Sequence, residues 1–399
     1  MNKLSIDKVD LKNKRVLVRV DFNVPLDENK NVTDDLRIKA SLPTIKKIIH
    51  DGGKAILMSH LGRPKGEKKL TLSLIPAAVR LSELIGKEVK LAPDCIGSAT
   101  EKLINEMQSG DVVLLENLRF HKEEENNDPD FSKQLAKLGD IYINDAFGSA
   151  HRAHASIEGV TRFIKICAAG YLMQKELDYL GSALANPKRP YCAVLGGAKI
   201  SGKIDVITNL LDKVDTLIIG GGMAFTFLKA QGKEIGKSLL ESEKLDLAKE
   251  LLQKLNSSKI KFLLPTDIVV ADEFSNDSPY QTVSVDKIPS DKRGLDIGKE
   301  SIKLFSDELL KSKTIVWNGP MGVFEMSNFA KGTFAIAEAL ANATEKGAVT
   351  VIGGGDSAAA ISDAGLEDKV SHVSTGGGAS LEFLEGKVLP GVAALTDAN

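Results

Sequence analysis

Short aliphatic runs that stop at a glycine or a polar side chain recur along this chain, with helical patterns between them. This rhythm restricts the fold more than any other feature. The runs 16–20, 55–58, 112–115 and 141–143 read as buried strands, and 41–50, with Pro43 near its first turn, and 74–85 read as intervening helices. Such alternation predicts an α/β fold with parallel sheets, whose ligands lie just past the carboxyl ends of the strands. At 399 residues the chain exceeds one ordinary core, so two domains of roughly 150 to 200 residues are expected. A helical pattern over 168–185 leads to Asn186-Pro187-Lys188-Arg189-Pro190, the best boundary. The rhythm restarts at 191–195 and continues through 216–219, 262–264, 314–316, 349–352 and 372–373.

A formal net charge of −2 argues against nucleic acid as the main partner. The distribution of arginine says more, because eight of the ten (Arg15, Arg19, Arg37, Arg63, Arg80, Arg119, Arg152, Arg162) precede residue 163. Guanidinium grips carboxylate and phosphate through paired hydrogen bonds, so the first half reads as built for a small polyanion. Cys95, Cys167 and Cys192 are odd in number and widely spaced, which fits a reducing compartment better than a disulfide framework or a zinc site. No signal-peptide core and no run of transmembrane length is evident, so a cytoplasmic protein without a membrane partner is expected.

The first-half strands run into Asp21-Phe22-Asn23, His60-Leu61-Gly62-Arg63, Glu116-Asn117-Leu118-Arg119 and Asn144-Asp145-Ala146-Phe147, with His151 and Arg152 close behind. Each exit delivers a hydrogen-bonding or cationic group. A single arginine in a loop is ordinarily a solvated one, yet exits that converge on one sheet edge would pool their arginines in one anion site. His60, His121, His151 and His154 have no carboxylate or cysteine at ligand spacing, so hydrogen bonding beside the arginines suits His60 and His151 better than metal binding. The run Glu123-Glu124-Glu125-Asn126-Asn127-Asp128 reads as a solvated loop.

The second half is rich in glycine corners. In Val351-Ile352-Gly353-Gly354-Gly355-Asp356-Ser357-Ala358 a strand meets a helix N-terminus, where free N–H groups favour phosphate. Asp356 either caps that helix or shares a Mg²⁺ with the phosphate. Read from Gly197, Gly197-Ala198-Lys199-Ile200-Ser201-Gly202-Lys203 fits a P-loop as far as the lysine, but Ile204 stands where a metal-binding hydroxyl is needed. Lys199 and Lys203 therefore remain either phosphate-facing or plain solvated lysines. The Gly353-x-Gly355-x-x-Ala358 dinucleotide pattern lacks its later acidic residue, because Thr375-Gly376-Gly377-Gly378 stands there. With Gly220-Gly221-Gly222, Gly196-Gly197 and Trp317-Asn318-Gly319-Pro320 also following strands, a surface of exposed backbone donors suited to a nucleotide is expected. An arginine pocket in one domain and a glycine pocket in the other suit phosphoryl transfer, with hinge closure excluding water. The rivals are an NAD-dependent oxidoreductase and a nucleotide-binding scaffold without catalysis.

The ordered set Arg19-Val20-Asp21-Phe22-Asn23-Val24-Pro25, Ser59-His60-Leu61-Gly62-Arg63-Pro64, Glu116-Asn117-Leu118-Arg119-Phe120, the run 144–154, Trp317-Asn318-Gly319-Pro320 and Gly353-Gly354-Gly355-Asp356 closely resembles the phosphoglycerate kinase family over essentially the whole chain. The resemblance implies two doubly wound, Rossmann-like parallel-sheet domains joined by an interdomain helix. Residues 1–170 with a returning tail 385–399 would bind 3-phosphoglycerate, 171–187 would link, and 188–384 would bind nucleotide. It implies reversible transfer of the acyl phosphate of 1,3-bisphosphoglycerate to MgADP, giving 3-phosphoglycerate and MgATP. Nothing in the sequence demands more than a monomer, and no nucleic-acid partner is expected. Asp21, Phe22, Asn23, Arg37, His60, Leu61, Gly62, Arg63, Arg119 and Arg152 would hold 3-phosphoglycerate. Lys199, Lys203, Gly220, Gly221, Asn318, Pro320, Glu325, Gly353, Gly354, Gly355, Asp356 and Ser357 would hold the nucleotide, with Glu325 toward the ribose and Asp356 on Mg²⁺. Arg37, Lys199, Lys203 and the N–H groups at Gly376, Gly377 and Gly378 would neutralise the phosphoryl group in flight. Ser357 often corresponds to threonine in the family and keeps the hydroxyl.

Overall fold

The computed structural model describes residues 2–398, and its contacts divide the chain into two units: residues up to Asp178 together with those from Val388, and Tyr179–Lys387. In the first unit β1 (Arg15–Arg19), β2 (Lys54–Met58), β3 (Val89–Leu91), β4 (Val112–Leu114), β5 (Ile141–Asn144) and β6 (Cys167–Ala169) form one sheet in the order β3-β4-β2-β1-β5-β6. All five pairings are parallel. Arg19 lies opposite both Met58 and Asn144, so the exits of β2, β1 and β5 open side by side. The order reverses between β1 and β5, the kind of switch point that leaves a crevice. Val16, Val18, Ile45, Ile48, Leu57 and Leu81 belong to the core on one face of this sheet.

Three local expectations are corrected. The first long helix spans Leu36–His50, so Pro43 lies inside it rather than near its start. The ring leaves the carbonyl of Lys39 without its helical donor. The pattern at 168–185 begins as β6, because Cys167–Ala169 pair with Tyr142–Asn144 and the helix starts only at Tyr171. The third correction concerns Asn144 at the β5 exit, which meets the returning end of the chain where that end is stitched to this unit by named bonds. Leu4 N–H donates to Thr396 O at 2.8 Å, Thr396 N–H to Cys167 O at 2.9 Å, and Gly391 N–H to Ala150 O at 2.8 Å. Asn144 is spent there too, its Nδ2 donating to Gly391 O at 3.1 Å, so it is tied to that segment instead of offering its amide to a ligand.

The second unit contains β7 (Tyr191–Leu195), β8 (Thr216–Ile219), β9 (Lys261–Leu263), β10 (Asp267–Ala271), β11 (Tyr280–Ser284), β12 (Arg293–Ile297), β13 (Thr314–Asn318), β14 (Val349–Gly353) and β15 (His372–Val373). The six-stranded parallel sheet runs β15-β14-β13-β7-β8-β9, with its switch point between β13 and β7. β10, β11 and β12 form a separate antiparallel sheet that the rhythm of the sequence did not announce. Val194, Ile218, Phe305, Trp317, Leu340 and Ile352 share its principal core.

Candidate active site

In the first unit, His60 is the centre of a cationic cluster. Arg19, Arg119, Arg152 and Arg37 all act on its ring, and burial followed by these guanidinium groups drives its pKa well below the ordinary value. Neutral imidazole is therefore the form present. Arg37 extends from the first turn of its helix and pairs with Asp21 at 2.9 Å. Asn23 Oδ1 accepts from Gly62 N–H at 2.8 Å, and Arg119 Nη1 donates to Gly62 O at 3.0 Å, so the β1 and β4 exits clamp the β2 exit from both sides. Arg119 is nearly buried and faces Glu125 at 3.3 Å, yet its Nε makes no hydrogen bond. A desolvated guanidinium with an unused donor suits an incoming anion. Arg63 is exposed on the loop after His60 and makes no ion pair among the described residues.

Several residues of these exits serve the scaffold. The side chains of Phe22 and Leu61 lie in the core, and what they leave at the site is backbone position. Asn117 is fully buried and accepts from Leu61 N–H at 3.2 Å while donating to Leu61 O and Leu72 O at 2.8 Å each. Asp145 accepts from the N–H groups of Leu172 at 2.9 Å and Met173 at 3.3 Å, which caps the helix Tyr171–Ala185.

The acidic run was expected as a solvated loop, and this is overturned at one position: Glu125 and Asn126 are exposed, but Glu124, in the short helix Lys122–Glu125, is fully buried. It accepts from Ser156 Oγ at 2.6 Å and Ser156 N–H at 2.9 Å. His154 lies 4.0 Å away, and burial with Arg119, Arg19 and Arg152 brings it down to about 4. His121 does have acidic and thiol neighbours, because Asp94 and Cys95 fold beside it from 27 and 26 residues upstream. Asp94 is already hydrogen-bonded to His121 at 2.7 Å, and burial pushes the Cys95 thiol far up, so this group is a satisfied pair beside a protonated thiol.

In the second unit five adjacent strands, β15, β14, β13, β7 and β8, end in glycine corners along one sheet edge. One glycine of each corner has positive φ: Gly377 (51°), Gly354 (88°), Gly319 (100°), Gly197 (104°) and Gly221 (67°). Residues with a Cβ avoid this region, which turns each chain sharply. The N–H groups of Gly197, Gly221 and Gly319 go to Pro320 O at 2.9 Å, Met321 O at 3.2 Å and Ser357 Oγ at 2.6 Å, whereas those of Gly354 and Gly377 have no such partner among the described residues. Within each triple the first glycine is a packing position. A Cβ at Gly220 would lie 2.4 Å from Met321 Sδ, and Gly353 and Gly376 are buried. Gly376 N–H is moreover donated to Ser374 Oγ at 3.1 Å, so the expectation that it serves a phosphate is corrected in favour of Gly377 and Gly378.

A cavity of about 300 Å³ opens on these corners, lined by Lys199, Lys203, Asn318, Gly354, Asp356 and Ser357 among others. Lys203 donates to Asn318 Oδ1. An ammonium has only donors, so the amide oxygen faces it and Nδ2 turns away, buried and without a partner. Burial brings Lys203 down to about 8, with Asp356 and Glu385 opposing the shift. Ser357 is fixed by accepting from Gly319 N–H at 2.6 Å. A second cavity of about 310 Å³ adjoins, with apolar walls from Phe225, Leu239, Ile268 and Val323, and with Gly221, Pro320 and Glu325 on its lining. Asp356 lines both cavities. A flat apolar ring and a chain of anionic oxygens would be served by the two together.

Comparisons with known proteins agree on one family. The family profile described as phosphoglycerate kinase matches residues 6–387. The chain is 62% identical over 398 residues to the phosphoglycerate kinase of Chloroherpeton thalassium, covering 100% of both chains. It is 59% identical over 397 residues to that of Chlorobaculum tepidum, again covering 100% of both. Among solved structures, phosphoglycerate kinase from Coxiella burnetii superposes with a TM-score of 0.91 at 43% identity, covering 98% of each chain. The Pyrococcus horikoshii enzyme gives 0.83 at 33%, also covering 98% of each.

Proposed function

The chain belongs to the phosphoglycerate kinase family, and from that premise we propose that the arginine-lined end of the first unit takes 3-phosphoglycerate or 1,3-bisphosphoglycerate while the glycine-lined end of the second takes MgADP or MgATP. The reaction is the reversible glycolytic transfer of the acyl phosphate to ADP. Arg63, Arg119 and Arg152 meet the substrate's anionic groups, with Asn23 and the backbone of Phe22, Leu61 and Gly62 shaping the floor. Asp21 cannot face a carboxylate or a phosphate, and the glycerate hydroxyl is the one donor that suits it. Neutral His60 offers a ring N–H.

The apolar cavity suits the base, with Glu325 reaching the ribose hydroxyls and Gly221 and Pro320 at its wall. Lys199, Lys203, Asn318 Nδ2 and the amides after Gly353 face the phosphates, with Gly220 packed behind them. The orphaned amide of Asn318 beside Lys203 fits a phosphate oxygen. Asp356 is the one carboxylate on the lining of the phosphate cavity, which fits a hard Mg²⁺ held mainly by phosphate oxygens. Bound there, the ion would relieve the repulsion between carboxylate and polyphosphate. In the ATP-consuming direction the nucleophile is a carboxylate, already ionised at neutral pH, so no general base is needed. Arg37, Lys199, Lys203 and the amides of Gly377 and Gly378 neutralise the transferring group.

The observation that carries this reading is the set of five positive-φ glycine corners on adjacent strands, four of which line one cavity with Lys203, Asn318 and Asp356 while the fifth, at Gly221, lines the adjoining cavity. Its test is a coupled assay for ATP formation from 1,3-bisphosphoglycerate and ADP. Formation is expected with Mg²⁺ and is lost with chelator, and Asp356→Ala is expected to raise the Mg²⁺ needed for half-maximal rate by about tenfold or more. Nucleotide binding without ATP formation would leave a scaffold, and cofactor absorbance changes without ATP would favour an oxidoreductase. No helix among the described residues is long and apolar enough to cross a membrane. A cytoplasmic monomer is the setting we propose.

A further inference from the structure

A line of buried polar groups runs from Glu124 to His60, and it is not part of the arginine set that would touch substrate. Glu124, Ser156 and Arg19 are each no more than 1% exposed, and His60 is 5% exposed. Ser156 Oγ donates to Glu124 Oε1 at 2.6 Å, which turns its lone pairs toward Arg19, whose Nε donates to them at 2.9 Å. Arg19 Nη1 donates to Val20 O, and Nη2 lies 3.0 Å from His60 Nδ1. The guanidinium is held by two fixed acceptors before it reaches the ring.

A guanidinium has no acceptor, so the contact at 3.0 Å requires a lone pair on Nδ1. The single ring proton of neutral imidazole must then sit on Nε2. Among the described residues Nε2 has no hydrogen-bond partner, and it is the edge left for an incoming acceptor. We infer that Glu124 and Ser156 are positioning residues which, through Arg19, lock His60 as the Nε2–H tautomer and so present a neutral donor to the bound anion. The role of His60 as a substrate contact rests on the function proposed above, whereas the tautomer does not. Glu124 also supplies the counter-charge that lets Arg19 lie desolvated, since an unpaired buried guanidinium would be strongly unfavourable. The charged groups that face the ring are Arg19, Arg37, Arg119 and Arg152, all cationic, and none of them accepts a proton from Nδ1.

The tautomer can be read in the free, full-length protein by nitrogen-15 NMR of labelled histidine. His60 is expected to show a protonated Nε2 and a bare Nδ1 throughout pH 5.5 to 8, with no conversion to imidazolium. In Glu124→Gln and Ser156→Ala, checked for folding by circular dichroism, the ring is expected to populate both tautomers. KM for 3-phosphoglycerate should rise about tenfold in both, while kcat and the KM for nucleotide change less than twofold. A proton on Nδ1 in the wild type, or variants in which neither tautomer nor KM moves, would overturn the inference. If neither variant folds, the wild-type spectrum alone decides it. A locked tautomer in a protein that makes no ATP from 1,3-bisphosphoglycerate would sustain the relay while removing the substrate assignment.

Discussion

Arg37 and Arg119 show how differently two arginines of one cluster are held. Arg119 is nearly immobilised, 5% exposed in its side chain and bonded to Gly62 O, whereas Arg37 is 44% exposed and tied only to Asp21. A guanidinium on one exchangeable ion pair can turn toward charge that develops during transfer, and Arg63, exposed on its loop without an ion pair among the described residues, suits ground-state holding. Arg37→Ala is therefore expected to lower kcat by about 10²- to 10³-fold with little change in KM for 3-phosphoglycerate. Arg63→Ala is expected to raise that KM with kcat nearly kept, and steady-state kinetics that show equal losses of turnover would refute the division. The arginines, His60 and the glycine corners were legible because their residue types are unusual at strand exits. Glu124 was not, since three consecutive glutamates look alike in sequence and only the path of the chain turns one of them inward to Ser156. The Asp94 and Cys95 neighbours of His121 were hidden for a related reason, being brought close by folding from far along the chain.

At the level of elements, alternation revealed the parallel strands except β3 and β6, and it did not reveal the antiparallel trio. β11 is largely exposed, and its Tyr280, Thr282 and Val283 are strand formers without the continuous apolar run that marked the buried strands. The cap of the Tyr171–Ala185 helix was equally hidden. Gly170 brings no side chain to that cap, and Asp145 of the β5 exit fills the space, a Cβ at Gly170 falling 2.2 Å from Asp145 Oδ1. Helix N-termini favour a carboxylate, but complete burial outweighs this and brings Asp145 up to about 7. A carboxyl whose folded pKa is raised above its unfolded value binds more protons in the native state. Its contribution is whole below about pH 4 and is lost as pH rises through about 7. Asp296, buried in the second unit and brought up to about 7 in the same way, acts in the same direction. Stability measured by urea unfolding is thus expected to fall between pH 5 and pH 7.5. Asp145→Asn keeps an acceptor for Leu172 and Met173 and removes the buried charge, so it is expected to flatten part of that fall, by about 1 to 2 kcal/mol at pH 7.5 relative to pH 5. An equal loss at both pH values would mean that the ionised cap is favourable and that burial does not dominate.

For the whole molecule, the proposed division of labour rests on each unit having its own sheet, core and switch point. A ligand that binds the native form of one unit stabilises that unit by mass action, by about 2.7 kcal/mol at a hundredfold excess over its dissociation constant. Opening reactions that expose amides near the ligand become rarer by the same factor, while those in the other unit are left as they were. Amide exchange followed by mass spectrometry then separates the two assignments. 3-Phosphoglycerate alone should slow exchange around Asp21–Asn23, His60–Arg63 and Arg119, and MgADP alone should slow it at Gly197–Lys203, Asn318–Met321, Gly354–Ser357 and Gly377–Gly378. Within the second set Gly354–Ser357 and Gly377–Gly378 are the more discriminating, because Gly197, Gly319 and Met321 already donate to protein acceptors, whereas protection at the first turn of the helices after Gly354 and Gly377 requires that an outside acceptor reach them. Protection of the glycine corners by 3-phosphoglycerate, or of the arginine cluster by MgADP alone, would exchange or abolish the assignment of substrates to units.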